Sequence, residues 1–248
     1  MTAIDIEALR YVYPDGQVAL DHVDLTVAPG ERIAVLGPNG AGKTTLMLHL
    51  NGVLTATSGA VEICGIPLNR KTVQDIRRRV GLVFQDPDDQ LFMPTVAEDV
   101  AFGPLNAGLP PDEVERRAAS ALDRVGMAPV RERPPYRLSA GEKRAVAIAT
   151  VLAMSPDILL LDEPSSNLDP RGRRRLIELL RSFGHTRIIA THDLELVVDV
   201  CSRAILLDGG RVAADGPARD ILNDEPLMLA HALERPHSLR HAHPHGGA

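Results

Sequence analysis

The run Gly37-Pro38-Asn39-Gly40-Ala41-Gly42-Lys43-Thr44 constrains this chain more than any other segment. It fits G-x-x-x-x-G-K-[ST]. It also stands between the apolar run Arg32-Ile33-Ala34-Val35-Leu36 and the helix-compatible Thr45-Leu46-Met47-Leu48-His49-Leu50. Strand, glycine-rich loop and helix in that order make a cradle for phosphate. The glycines let the backbone curl so that several N–H groups point inward, and the helix start adds its partial positive charge. Lys43 is placed to reach the outer phosphates, the Thr44 hydroxyl to hold Mg²⁺, and Thr45 completes the loop. The segment implies a site for a nucleoside triphosphate.

A second motif lies far downstream, in Ile158-Leu159-Leu160-Leu161-Asp162-Glu163-Pro164. Its apolar part lacks alternation, as a strand buried on both faces should. Asp162 ends that strand, where its carboxylate can bind the Mg²⁺ held by Thr44. Glu163 is then close enough to the terminal phosphate to orient or deprotonate an attacking water. Two acids capping a strand would mean little alone; after a phosphate loop they read as a hydrolytic site.

Between these motifs the pattern changes repeatedly from strand to helix. Ile4 to Val12 and Ala19 to Val27 read as strands around the turn Pro14-Asp15-Gly16, and Ala60 to Ile63 reads as another. Val73 to Arg79 reads as a helix, Gly81 to Phe84 as a buried strand, and residues 112 to 127 carry helical spacing. Helices are expected at about 140–154, 173–183 and 193–200. Strands are expected at 187–190 and 204–207, and a turn at Asp208-Gly209-Gly210 leads to Arg211-Val212-Ala213. Strands separated by helices predict an α/β fold, with a parallel sheet, right-handed crossovers and a smaller antiparallel layer near the N-terminus.

Composition excludes some functions. A net charge of −6 with few aromatic residues argues against a nucleic-acid surface, which needs a concentrated basic stripe. Cys64 and Cys201 are too few and too far apart for a disulfide framework or a zinc site, so reduced thiols in a cytosol are expected. The start, Met1-Thr2-Ala3-Ile4-Asp5, carries no apolar signal core, and no apolar run approaches the ~20 residues of a membrane span. Work at a membrane would therefore require partners.

Leu138-Ser139-Ala140-Gly141-Glu142-Lys143-Arg144 opens a long helix between the two nucleotide motifs. With it the chain resembles the ATP-binding cassette (ABC) transporter ATPases, whose signature motif is Leu-Ser-Gly-Gly-Gln or a close variant. Other positions match in order over roughly residues 4 to 222. Gln85 follows a strand as the Q-loop glutamine does, Ser165-Ser166-Asn167-Leu168-Asp169 matches the D-loop, and His192 matches the switch histidine. Tyr13 sits where the family places an aromatic ring against adenine; packing within the β layer is the other reading.

The resemblance implies a P-loop NTPase fold: a RecA-like parallel-sheet core, an antiparallel β subdomain, and an inserted α-helical signature subdomain at about 87–155. The ATP-binding domain would span 1–234, with a flexible His-rich tail at 235–248. The resemblance also implies ATP and Mg²⁺ as ligands, with Thr44, Gln85 and Asp162 around the metal and Glu163, His192 and Gln85 in catalysis. Ser139, Ala140, Gly141 and Glu142 would meet ATP bound to a second ATPase subunit, an identical copy or a related paralogue. Ala140 departs from the usual glycine, which costs little if its φ is negative and impairs closure if positive.

Gly81 to Phe92, with Thr95 to Pro104, looks like the ATPases of energy-coupling-factor importers, which take up vitamins, cobalt or nickel. In those proteins Gln90 and the Glu98-Asp99 pair would face a membrane-embedded transport component. Such a subunit would sit peripherally on the cytoplasmic face of the membrane. An ABC ATPase that serves no transporter, in DNA repair or on ribosomes, is the alternative, although its usual coiled-coil insertion or second cassette is missing here. Near the C-terminus His241, His243 and His245 alternate, so an extended strand would place three imidazoles on one side, suited to nickel or cobalt. The competing reading is a disordered tail with incidental histidines.

Overall fold

Three strands open the chain in the computed structural model, which describes residues 2–240: β1 (Ile4–Val12), β2 (Val18–Val27) and β3 (Arg32–Leu36). The first two pair antiparallel, and β4 (Ser58–Ile63) and β5 (Ile66–Pro67) extend them into a sheet of order β2-β1-β4-β5. Along β1 the alternation of apolar and polar residues turns Ile4 and Ile6 into the core, and the irregularity at Ala8 brings Leu9 in as well.

The strand β3 instead joins a six-stranded sheet with β6 (Val80–Val83), β7 (Ile158–Asp162), β8 (Thr186–Ala190), β9 (Arg203–Asp208) and β10 (Arg211–Pro217). Its order is β10-β9-β3-β8-β7-β6; only β10 runs antiparallel, turning back through Gly209-Gly210. Both faces of this sheet are covered, which is why β7 and β8 are buried throughout. Ile158 and Leu160 of β7 face the antiparallel sheet and helix α1 (Lys43–Leu50), while Leu159 and Leu161 face the helices behind.

Helix α2 (Val73–Arg79) leads into β6. The helices behind the sheet are α3 (Val96–Asn106), α4 (Pro111–Arg124) and α5 (Ala140–Leu152), followed after β7 by α6 (Pro170–Ser182). Helix α3 falls within the helical subdomain that the resemblance implies at about 87–155, although it carries Pro104 in its interior. Its start is nevertheless written as Thr95-x-x-Glu98, and both hydrogen bonds of that capping box are present. Beyond β8 come α7 (Leu194–Val200), α8 (Ala218–Asn223), α9 (Glu225–Ala230) and α10 (His237–Arg240). Residues expected in a flexible tail from 235 are thus folded as far as Arg240. Leu239 packs on the core, and Ser238 N–H donates to Glu195 at 3.0 Å. The histidines His241, His243 and His245 lie outside the described residues.

Arg187, fully buried on β8, ties the helix ends together. Its guanidinium donates to Leu180 O and Phe183 O at the end of α6 and to Val200 O at the end of α7. Helix C-termini leave carbonyls unpaired and carry partial negative charge, so a cation there serves both needs.

The phosphate loop follows β3 and is locked from the side. Gly37 has φ 144°, and a Cβ there would lie 2.0 Å from Leu207 O of β9. Neither the conformation nor the space admits a side chain. Gly37→Ala is expected to lower stability by at least ~2 kcal/mol, from a strained backbone and overpacking against a main-chain oxygen. A melting temperature equal to the parent's would contradict this placement of the loop.

Candidate functional site

Three neighbouring parallel strands end at one edge, and each delivers part of the site. β3 runs into the phosphate loop, β8 into Thr191-His192, and β7 ends with Asp162 before Glu163. Carboxyl ends of such strands are where α/β sheets bind ligands. Gly42 closes the loop at φ 102°, with a Cβ position only 2.5 Å from Ala19 O, and Lys43 begins α1.

The Thr44 hydroxyl donates to Asp162 Oδ2 at 2.7 Å, so the two motifs, far apart in sequence, meet directly. The other carboxylate oxygen, Asp162 Oδ1, is buried and has no hydrogen-bond partner among the described residues. Burial pushes the Asp162 carboxyl above its usual range, Glu163 adds to this, and the Thr44 bond, Lys43 and Arg144 oppose it. A buried carboxylate with an open oxygen beside a hydroxyl is a hard-oxygen donor set that fits Mg²⁺. Lys43, itself buried, donates to Gly37 O at 2.7 Å and Pro38 O at 3.0 Å. Burial depresses its ammonium below the ordinary value, against the pull of Glu163 and Asp162.

Glu163 carries the local strain. Its φ of 43° is left-handed, and its own N–H donates to Ala190 O at 2.8 Å. This conformation turns the carboxylate toward the end of β8. There Oε2 accepts from Thr191 Oγ1 at 3.0 Å and from His192 N–H at 3.3 Å, and His192 Nδ1 lies 2.9 Å away. Glu163 is buried, whereas the His192 side chain is two-thirds exposed. Thr191 was not foreseen; its only sequence signal is its place beside His192.

Tyr13 stands over the start of α1, with its hydroxyl 2.9 Å from Thr45 Oγ1 and its ring edge-to-face with Tyr11. Gln85 stands two residues beyond Val83, the last paired residue of β6, and is exposed. The signature segment is elsewhere within this chain. Ser139 caps α5, and Ser139 through Glu142 line a cleft of about 980 Å³ together with Asn167, Leu168 and Asp169. Ala140 is the first residue of that helix and is not among the residues with positive φ, so alanine is accommodated there. Glu142 completes a capping box: its carboxylate accepts from Ser139 N–H and Ser139 Oγ, both at 2.8 Å. These bonds hold the Glu142 carboxyl below its ordinary range.

Of the two acids expected to face a membrane component, Asp99 turns inward and Glu98 stays exposed. Asp99 is buried and accepts from Phe92 and Met93 N–H, both at 3.0 Å, and Glu98 caps its own helix. Gln90 is likewise engaged within the chain, donating to Ala147 O and Thr150 Oγ1. That segment also exposes apolar side chains. Phe92 and Phe102 meet edge to face at 4.9 Å, and Leu105 follows one turn after Phe102.

The family model for ABC transporters matches residues 20–166. This chain belongs to the ABC transporter family. As an ABC ATPase it is 58% identical to an ABC transporter ATP-binding protein of Geobacter sulfurreducens, over 96% of this chain and 95% of that one. It is 47% identical to the energy-coupling factor transporter ATP-binding protein EcfA of Carboxydothermus hydrogenoformans, over 94% of this chain and 87% of EcfA. Among solved structures, CbiO1 of Clostridium perfringens, part of the ABC transporter complex CbiONQ, matches with a TM-score of 0.82 at 39% identity. That match covers 92% of this chain and 94% of CbiO1. The dimeric cassette MJ0796 with ADP and phosphate matches with a TM-score of 0.77 at 28% identity, covering 87% of this chain and 98% of that one. The chain is thus an ATP-binding ATPase of the ABC and energy-coupling-factor transporter type. No helix among the described residues is long and apolar enough to cross a membrane.

The electrostatics of Asp162 give a test with opposite signs for stability and binding. A carboxyl whose folded-state pKa is raised is destabilising once pH rises through that pKa, and the cost vanishes as pH falls to the ordinary carboxylate range. Asp162→Asn keeps an acceptor for Thr44 and removes the buried charge. At neutral pH it is expected to melt a few degrees higher, roughly 2–4 °C per kcal/mol in a chain this size. It is also expected to lose Mn²⁺ affinity in the presence of ATP. A lower melting temperature would show that Lys43 and Arg144 need the carboxylate more than burial penalises it.

Proposed function

We propose that this ATPase drives an energy-coupling-factor importer from the cytoplasmic face of the membrane, as a peripheral subunit paired with a second ATPase. The convergence of Lys43, Thr44, Asp162, Glu163 and His192 at the ends of β3, β7 and β8 carries the reading. Loop amides from Gly37, Asn39, Gly40, Ala41, Gly42 and Lys43 would receive the phosphates, and Lys43 would exchange Gly37 O and Pro38 O for phosphate oxygens. Thr44 and Asp162, with Gln85, would hold Mg²⁺, which when bound neutralises charge on the phosphates.

Glu163 then accepts the proton of the attacking water. His192 and Thr191 fix the carboxylate through Oε2, which leaves the other oxygen for the water. Tyr13 would meet the adenine ring. Ser139, Ala140, Gly141 and Glu142 cannot serve the same nucleotide from their own cleft, and the dimeric form of the MJ0796 cassette supports their serving the ATP of the other subunit. A helix start offers its free amides there, and the negative φ of Ala140 leaves them accessible. The exposed Phe92, Phe102 and Leu105 would contact the membrane-embedded component.

Glu163→Gln is expected to keep ATP binding and to cut turnover by at least ~10²-fold, because an amide cannot take up the proton. Size-exclusion chromatography with ATP should then show a stable dimer. Parental turnover would remove Glu163 from the base role.

For the cargo we propose cobalt or nickel, on the alternating His241, His243 and His245. Chain ending at Arg240 is expected to lose Ni²⁺ and Co²⁺ binding in calorimetry while hydrolysing ATP normally. In the full chain that binding should weaken as pH falls through ~6.5, because only neutral imidazole ligates. Equal metal binding by both chains would leave the tail as incidental sequence and take away its support for a metal cargo over a vitamin.

A further inference from the structure

The β6 strand stays in register with β7 up to Val83, which pairs with Leu161. The next two carbonyls belong to a different body. Arg144, on α5 and only 3% exposed, donates from Nη1 to Phe84 O at 2.7 Å and from Nη2 to Gln85 O at 2.6 Å. Two neighbours strengthen the attachment. The Gln90 side chain accepts from Phe84 N–H at 3.1 Å while donating to Ala147 O and Thr150 Oγ1 on α5. Lys143 Nζ donates to Asp88 Oδ1 at 2.6 Å. Gln85 therefore sits at the seam between the sheet that carries Asp162 and the helix that carries Ser139.

A buried guanidinium is expensive unless it is paired; here burial still dominates and Nε has no partner among the described residues, but two aligned carbonyls, with the charges of Asp86 and Asp162 nearby, offset part of the cost. The fork matters. Two adjacent carbonyls match the parallel N–H groups of arginine, whereas a lysine ammonium is a point charge on a flexible stem.

We propose that Arg144 is a positioning residue: it clamps the Phe84 and Gln85 carbonyls to α5, so that Gln85 is placed at the nucleotide's metal by the signature helix rather than by the sheet. The proposal rests on the assignment of Gln85 to the metal given above. One guanidinium thus joins the signature helix to the residue assigned to the metal.

The test is a double-mutant cycle between positions 144 and 85, read as the Mn²⁺ affinity of the ATP-loaded protein by electron paramagnetic resonance. ATP binding without metal and the melting temperature are followed alongside. Arg144→Met is expected to weaken Mn²⁺ binding about tenfold, within the range that metal-site supporting groups produce, and Arg144→Lys about threefold. Metal-free ATP affinity should stay at the parent's value. In the Gln85→Ala background, Arg144→Met should add less than about twofold, because the group it positions is gone. If Arg144→Met does not fold, Arg144→Lys carries the same cycle. Full additivity of the two substitutions overturns the proposal and leaves Arg144 acting only through its charge on Asp162. Parental Mn²⁺ affinity in Gln85→Ala overturns the assignment of Gln85 itself, and the proposal with it.

Discussion

The parallel ladder of β3, β8 and β7 is the constraint on which the site depends. Residues from about 37, 163 and 192 become neighbours because Val35 pairs with Ala190 and Asp162 pairs with Ala190 on the other side. A one-residue slip in either pairing would move a whole set of side chains to the opposite face and would separate Thr44 from Asp162. The full burial of β7 and β8 is what makes such a slip costly. Leu160 and Leu161 serve two different cores and cannot exchange places.

That scaffold holds groups which are individually unfavourable. Asp162 keeps an unpartnered buried oxygen, Lys43 is buried on main-chain oxygens, and Glu163 occupies a left-handed backbone conformation. Each costs stability in the folded chain; a cation would relieve Asp162 and phosphate would relieve Lys43, whereas the backbone of Glu163 stays strained. The site is therefore pre-formed at the expense of local stability, and the surrounding apolar layers offset that cost.

The helical segment behind the sheet is built differently, from caps and side-chain-to-carbonyl bonds. Capping boxes start α3 and α5, Asp169 caps α6 with Pro170 at its first position, and Asp193 caps α7. Three of these four caps stand at or beside the candidate site segments at 139–142, 165–169 and 192. Helix ends and candidate site residues thus share positions, so a change at a cap would act on both local stability and the proposed chemistry.

Much of this was legible in the sequence, because the signals are local. The phosphate loop, the unalternating apolar strand before Asp162-Glu163 and the order of strands and helices each need only short-range pattern and backbone sterics. The start of α3 is written locally too, in the capping box of Thr95 and Glu98. Tertiary structure alone decided the direction of side chains whose partners lie far away in the chain. Asp99 and Gln90 look like surface polar groups in sequence and prove to be internal braces, since their acceptors and donors are supplied by the 91–93 turn and by α5. Arg144 looks like one more basic residue after the signature, and only the packing of α5 on the end of β6 gives it two carbonyls to hold. Short-range chemistry writes motifs into sequence; which long side chain closes on which distant carbonyl is fixed only when the sheet and helices pack.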